Sequence, residues 1–193
     1  MANNNKVMKC KLLYILLFFT FHFSLFTLLT SCDKDEATRT YSRKYPVHCF
    51  FYVPTYIELF NTMGSYGEFV TIRQRTFDGV SVIEMVNTGG SNHYAIDRTM
   101  QYFNYGLAGL IVGVNIYGEH MAFDLGCPNC DRSDRRLTIG DAGIAKCAKC
   151  GLSYDLNNYG VISASSGTSL YDSPRGLYRY RIMYDGLNLS IYN

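Results

Sequence analysis

The chain has 193 residues, 48% of them hydrophobic and 18% charged, with a mean hydropathy of −0.05; this excludes a disordered chain, a collagen-like repeat and a polytopic membrane protein. Its 18 basic residues exceed its 16 acidic ones only because of Lys6, Lys9 and Lys11, without which the count is 15 against 16. The rest of the chain is near neutral, which argues against nucleic acid or another polyanion as its partner.

Residues 1–31 carry those three lysines and no acid, followed by an apolar run from Leu12 to Leu29 broken only by Tyr14, Thr20, His22, Ser24 and Thr27. A basic start, an apolar stretch and small residues make the layout of a secretory signal. Leu29-Thr30-Ser31-Cys32 resembles the bacterial lipobox, in which the cysteine is acylated and becomes the first mature residue. The resemblance implies a signal peptide over 1–31, lipidation at Cys32 and a protein held on a membrane in the cell envelope. The alternative is an uncleaved spanning helix, since the run approaches the roughly 20 residues a bilayer needs. Residues 32–45 show no apolar periodicity and are read as a tether. Its acidic run Asp33-Lys34-Asp35-Glu36 is similar to those that mark outer-membrane or cell-surface lipoproteins in some bacterial groups; a solvated linker explains it as well.

From residue 46 to 193 the pattern is all-β: short runs of Val, Ile, Tyr and Phe bounded by Gly, Asn and Asp. The strands expected in chain order are Val47 to Val53, Phe69 to Arg73, Val80 to Val86, Leu110 to Val114 and Met121 to Asp124. Glu58 to Met63 and Asp97 to Tyr102 are the two places for short helices. Near the end, Tyr178, Tyr180 and Ile182 alternate with Arg179, Arg181 and Met183, and Asp185-Gly186 supplies a hairpin turn before Leu187, Leu189 and Ile191. The length suits one small β-sandwich or barrel.

Cys127-Pro-Asn-Cys130 and Cys147-Ala-Lys-Cys150 form a C-x2-C-x16-C-x2-C pattern. Each C-x-x-C presents two sulfurs on one side, and two such knuckles complete a tetrahedron around a metal. Gly151 suits the positive φ expected after a knuckle, whereas Asp131 in the equivalent place points to a less regular first knuckle. Between Gly126 and Ser153, Arg132, Arg135, Arg136, Lys146 and Lys149 outnumber Asp131, Asp134 and Asp141, and 5 − 3 = +2 offsets a four-thiolate site's negative charge. The competing reading is oxidation to disulfides or redox-active thiols, because the body of a lipoprotein lies outside the cytoplasm.

Cys147-Ala-Lys-Cys150-Gly151-Leu-Ser-Tyr154-Asp155 resembles the second cluster-binding box of the Rieske family, Cys-x-x-His-Gly with an aromatic following. Met121-Ala-Phe-Asp124-Leu-Gly-Cys127-Pro-Asn129-Cys130 is similar to the strand leading into the first box, Cys-x-His. Gly167, Ser173-Pro174 and the closing hairpin resemble the family's third loop and final strands. The resemblance runs over about residues 69–192. It implies an all-β base with a small metal-carrying subdomain inserted between its strands, at about residues 123–156, of zinc-ribbon or rubredoxin-like character. Family members hold a [2Fe–2S] cluster through two Cys and two His, but here Cys150 and Asn129 stand where the histidines would be. His48, His93 and His120 lie outside the boxes and are read as surface or strand residues. The metal residues are then Cys127, Cys130, Cys147 and Cys150, suited to Zn²⁺, a single iron or an all-cysteine [2Fe–2S] cluster. A chain threaded unfolded through a general secretory translocon loses a preassembled cluster but collects zinc afterwards, and the leader lacks the arginines of a folded-export signal. Zinc in a structural, non-catalytic role is favoured, with an iron electron carrier and a thiol oxidoreductase as alternatives; a partner, if any, is an envelope or redox protein.

Several features carry default readings. Gly106 to Gly113 reads as a buried strand, Cys49 as a buried small residue, the Tyr-Arg repeat at 178–181 as strand alternation, and Asp78, Glu84 and Asp124 as turn or solvent-facing residues without catalytic partners.

Overall fold

A computed structural model describes residues 41–163 and 175–193. Cys32, the leader and most of the tether lie outside the described residues, as do Gly167 and Ser173-Pro174. Among the described residues no helix is long and apolar enough to cross a membrane.

Among the described residues the fold is all-β with one short α-helix. In chain order the strands are β1 (Val47–Tyr52), β2 (Phe69–Phe77), β3 (Val80–Asn87), β4 (Gly90–Ala95), β5 (Asn104–Tyr105), β6 (Leu110–Val114) and β7 (His120–Asp124). After these come β8 (Leu137–Ile139), β9 (Ile144–Cys147), β10 (Ser153–Asp155), β11 (Val161–Ile162), β12 (Arg181–Tyr184) and β13 (Asn188–Tyr192), with helix α1 at Ile57–Met63 between β1 and β2. The second expected helix shrinks to a 3-10 turn at Met100–Tyr102. The hairpin turns use the residues the backbone demands. Asp78 and Gly79 link β2 to β3 at φ 50° and 78°, and Asp185 caps the last turn by accepting the backbone N–H of Leu187 at 2.9 Å and of Asn188 at 2.6 Å.

Two sheets make the base. One has the order β12-β13-β1-β5 and the other β4-β3-β2-β6-β7, with adjacent strands antiparallel. The C-terminal chain joins them. Tyr178 and Tyr180 pair with β7, through Asp124 N–H to Tyr178 O at 2.9 Å and Tyr180 N–H to Ala122 O at 2.9 Å, and the same chain then enters the first sheet as β12. Between the sheets lies one core, including Cys49 and Phe51 of β1, Ile72 of β2, Met85 of β3, Leu110 and Val112 of β6, and Leu189 and Ile191 of β13.

The third sheet, β11-β10-β9-β8, is built only from residues 137–162, between β7 and β12 of the base. It grows directly from β7, since Leu137 N–H bonds Leu125 O at 2.9 Å and Cys127 N–H bonds Arg135 O at 2.8 Å. A second core fills the join: Phe69, Ile111, Met121 and Phe123 from the base meet Leu137, Cys147, Leu152, Tyr154 and Leu156. Strand β6 is therefore buried on both faces, with Leu110 and Val112 in one core and Ile111 in the other, which is why its sequence is continuously apolar rather than alternating. Gly113 is required there, because a Cβ would come within 2.1 Å of Glu68 O. Only Leu110–Val114 is strand; Gly106 and Gly109 precede it at φ 75° and 121°.

Two acidic residues depart from their solvent-facing expectation. Asp124 is buried: its Oδ2 accepts the N–H of Leu107 at 2.6 Å and the hydroxyl of Tyr180 at 2.7 Å, and its Oδ1 accepts the N–H of Gly126 at 2.6 Å. It ties the loop before β6, the C-terminal chain and the exit from β7 together. Glu84 is also buried, bound by Arg73, by Arg75 at 2.7 Å and facing His93 Nε2 at 3.3 Å. Arginines compensate the Glu84 charge, whereas Asp124 has only neutral donors and burial pushes its pKa up. The stretch expected as tether ends earlier on the structured side, for Ser42 N–H already bonds Arg179 O at 2.7 Å.

Candidate metal centre

The site begins where two turns meet. The first follows β7 and runs from Cys127 to Asp131, closed by the N–H of Asp131 on Cys127 O at 2.8 Å; the second links β9 to β10 and is closed by the N–H of Gly151 on Cys147 O at 2.9 Å. Both end in the left-handed region, Asp131 at φ 54° and Gly151 at φ 76°. The first knuckle is thus as regular as the second, contrary to the expectation drawn from its missing glycine. Aspartate tolerates that conformation better than most residues, and its carboxylate is held by Lys44, by Tyr45 Oη at 2.9 Å and by Tyr178 Oη at 2.7 Å.

The two turns bring the four sulfurs of Cys127, Cys130, Cys147 and Cys150 within 4.8 Å of one another, a group that can hold a metal ion. Cys127 Sγ lies 3.6 Å from Cys150 Sγ, and Cys130 Sγ lies 3.8 Å from Cys147 Sγ. These separations are too long for a disulfide, and all five cysteines among the described residues are free thiols. A tetrahedral ion with thiolate bonds of about 2.3 Å spaces its sulfurs about 3.8 Å apart.

Backbone dipoles point at the sulfurs. The N–H groups of Lys149 and Cys150 face Cys147 Sγ, and that of Leu152 faces Cys150 Sγ. Burial opposes ionisation of Cys147, but those N–H groups together with the Cys150 and Cys127 thiols outweigh it and hold the thiol below its usual range. Burial and the neighbouring sulfurs push Cys130 well up and Cys150 to about 11. Four crowded thiols resist full ionisation without a cation among them, and a divalent ion supplies the missing positive charge.

Around the sulfurs is a buried polar rim. Tyr154 is fully enclosed; its Oη lies 3.5 Å from Cys127 Sγ and accepts the Asn129 amide at 2.7 Å. Asn129 also exchanges longer bonds with the backbone of Arg175. Of the charges counted around the site, Arg132 pairs with Asp134 at 2.9 Å, while Asp131 pairs with Lys44, a cation from outside that stretch.

Other sequence candidates stand elsewhere. Cys49 is buried in the base core, its Sγ 3.2 Å from Asn104 O. His48, His93 and His120 lie in β1, β4 and β7; His93 stacks on Phe77 at 4.3 Å and His120 meets Tyr184 edge-on at 5.2 Å. A cleft of about 340 Å³ between β2, β3 and β8 is lined by Arg73, Glu84, Leu125 and Arg136 among others. Its carboxylate is already engaged by arginines, which hold Glu84 down at about 2 against the effect of burial, so Glu84 is a poor proton acceptor near neutral pH. Sequence reasoning missed Asp131, Tyr154 Oη and Asn129 as supports of the site; the one available signal was an aspartate standing where the other knuckle has Gly151. No family model matches this chain, and neither a curated protein nor a solved structure does.

Proposed function

We propose that this chain is a membrane-anchored envelope lipoprotein whose all-β domain is held together by a single metal ion on Cys127, Cys130, Cys147 and Cys150, with zinc in a structural role within a non-catalytic binding module. The observation that carries this reading is the mutual approach of all four sulfurs to within 4.8 Å. One ion fits that spacing. A two-iron cluster divides its ligands between two metals and spreads the pairs by the distance between them. Four thiolates close the coordination sphere, leaving no position for a substrate or an activated water. Zinc is available after export, when the unfolded chain has crossed the membrane.

The lipidated residue in this reading is Cys32, and the supporting pattern is Leu29-Thr30-Ser31-Cys32 after a basic and apolar leader. Rieske-like ancestry belongs to the same proposal. It is supported by the box residues and by a cysteine-bearing sheet placed between β7 and β12. The second reading is an electron carrier with a single iron at the same cysteines. Partial exposure of Cys130 favours it, since an electron must reach the metal from outside.

Protein purified from the cell envelope separates the readings by element analysis and an absorption spectrum. Colourless protein with one zinc per chain supports the structural role, and visible absorbance that bleaches on reduction supports iron. Metal-free protein whose thiols cycle with oxidant identifies a thiol oxidoreductase and refutes both.

A further inference from the structure

Asp131 occupies the same backbone position as Gly151, yet the two surroundings differ completely. A Cβ added at Gly151 would meet nothing within 4 Å. The Asp131 carboxylate instead receives Lys44, Tyr45 Oη and Tyr178 Oη, and the Tyr45 and Tyr178 rings meet edge-on at 5.5 Å beside it. Lys44 also lies over both rings, at 5.3 and 5.6 Å. Two of the three donors belong to the segment that leads into β1, which is further tied down by Ser42 N–H on Arg179 O at 2.7 Å and by the Asn193 amide on Tyr45 O at 2.6 Å.

An ion pair as exposed as Lys44 and Asp131 contributes little by itself. Its effect depends on Asp131 being presented in the left-handed conformation, from which its side chain reaches all three donors. That conformation is one that few L-residues other than aspartate and asparagine adopt, and the closed knuckle holds Asp131 in it. We propose that Asp131 is a positioning residue that couples metal occupancy to the docking of residues 42–45, so that an ion on the four cysteines fastens the incoming chain to the domain. The coupling rests on the metal-site reading above. An ion fixes the sulfurs, the sulfurs fix the knuckle, and the knuckle aims the carboxylate. Loss of the ion frees the knuckle, and the carboxylate leaves its donors. Because coupling between two binding events is reciprocal, loosening residues 42–45 also weakens metal retention. On the lipoprotein reading, Ser42 stands ten positions after Cys32. Docking then keeps Ser42, where the chain is fastened, within about 35 Å of Cys32 at full extension of that spacer.

The test is hydrogen exchange by mass spectrometry on the full chain, loaded with Zn²⁺ and then stripped with a chelator, with the amides of β6 as an internal reference. Stripping should speed exchange at residues 42–45 by about tenfold or more while β6 stays protected. Asp131→Gly keeps the backbone conformation and removes the carboxylate, so the loaded variant should exchange there as the stripped wild type does. Should stripping unfold the whole domain, the loaded state alone decides. Lys44→Ala combined with Tyr45→Phe, remote from every sulfur in sequence, should release zinc several-fold faster than wild type to a competing chelator. Wild type that binds zinc with unchanged exchange at 42–45, or a double variant that keeps zinc as long as wild type, overturns the coupling and leaves the metal site standing. Wild type that binds neither zinc nor iron overturns the metal reading and the coupling together.

Discussion

The sulfurs of Cys127 and Cys150 are 3.6 Å apart although 23 positions separate them in the chain, and each belongs to a different knuckle. Cys130 and Cys147 repeat the relationship at 3.8 Å. Each close pair thus spans the two turns, so an ion at their centre cross-links the end of β7 to the β9–β10 hairpin.

Removing one ligand should therefore remove the ion. Cys147→Ala and Cys150→Ala are expected to lose the bound metal by element analysis and to unfold at lower temperature, because the free energy of metal binding no longer adds to that of folding. Cys49→Ala, in the base core, should keep its full metal content. Equal metal loss from the Cys49 variant would refute the ligand assignment.

Tyr154 joins the first knuckle to the inserted sheet through its hydroxyl, which accepts the Asn129 amide at 2.7 Å. Tyr154→Phe leaves that amide with only the longer contact to Arg175 O. The variant should bind metal in the same amount and lose about 1–3 kcal/mol in urea unfolding. An unchanged midpoint would show that the buried hydroxyl contributes nothing.

Acid sensitivity should trace to Glu84. Burial alone would raise its pKa, but Arg73 and Arg75 hold the carboxyl at about 2, below its ordinary 4.5. A depressed folded value means that stabilisation is present above the unfolded pKa and is lost as pH falls from about 4.5 toward 2. The full difference corresponds to about 3 kcal/mol at neutral pH. Glu84→Gln should be less stable than wild type at pH 7, and the gap should close across that acidic window in denaturant titrations. A gap independent of pH would mean that the ion pairs do not set Glu84's contribution.

Cys32→Ala should abolish acylation, leaving the protein either free of membranes or as unprocessed precursor when cells are fractionated. Normally acylated, membrane-bound protein from this variant would refute the anchor.

The strands that line the two cores were legible because burial writes itself into local pattern. In β1, Val47, Cys49 and Phe51 alternate with exposed His48, Phe50 and Tyr52, and β6, buried on both faces, is apolar at every position. Strand β4 carries no such signal. As a sheet edge it pairs only with β3 and exposes Gly90, Ser91, Asn92 and His93. Strands β8 to β11, of two to four residues each, are too short for periodicity, and hairpin pairing around the cysteines defines them. Asp124 looked solvent-facing because its partner Tyr180 lies 56 positions away, and Glu84 because its arginines sit on the neighbouring strand. The four-cysteine group that can hold a metal was readable from spacing alone. The clamp on Asp131 was not, since it depends on Lys44 and Tyr45, which come close only after β1, β7 and β13 have assembled.

X-ray absorption at the metal edge of protein isolated with its native metal tests the shared ion most directly. The spectrum should show four sulfur neighbours at about 2.3 Å and no second metal nearby. A shell containing nitrogen or oxygen ligands, or a metal–metal distance, would contradict a single ion bound by Cys127, Cys130, Cys147 and Cys150.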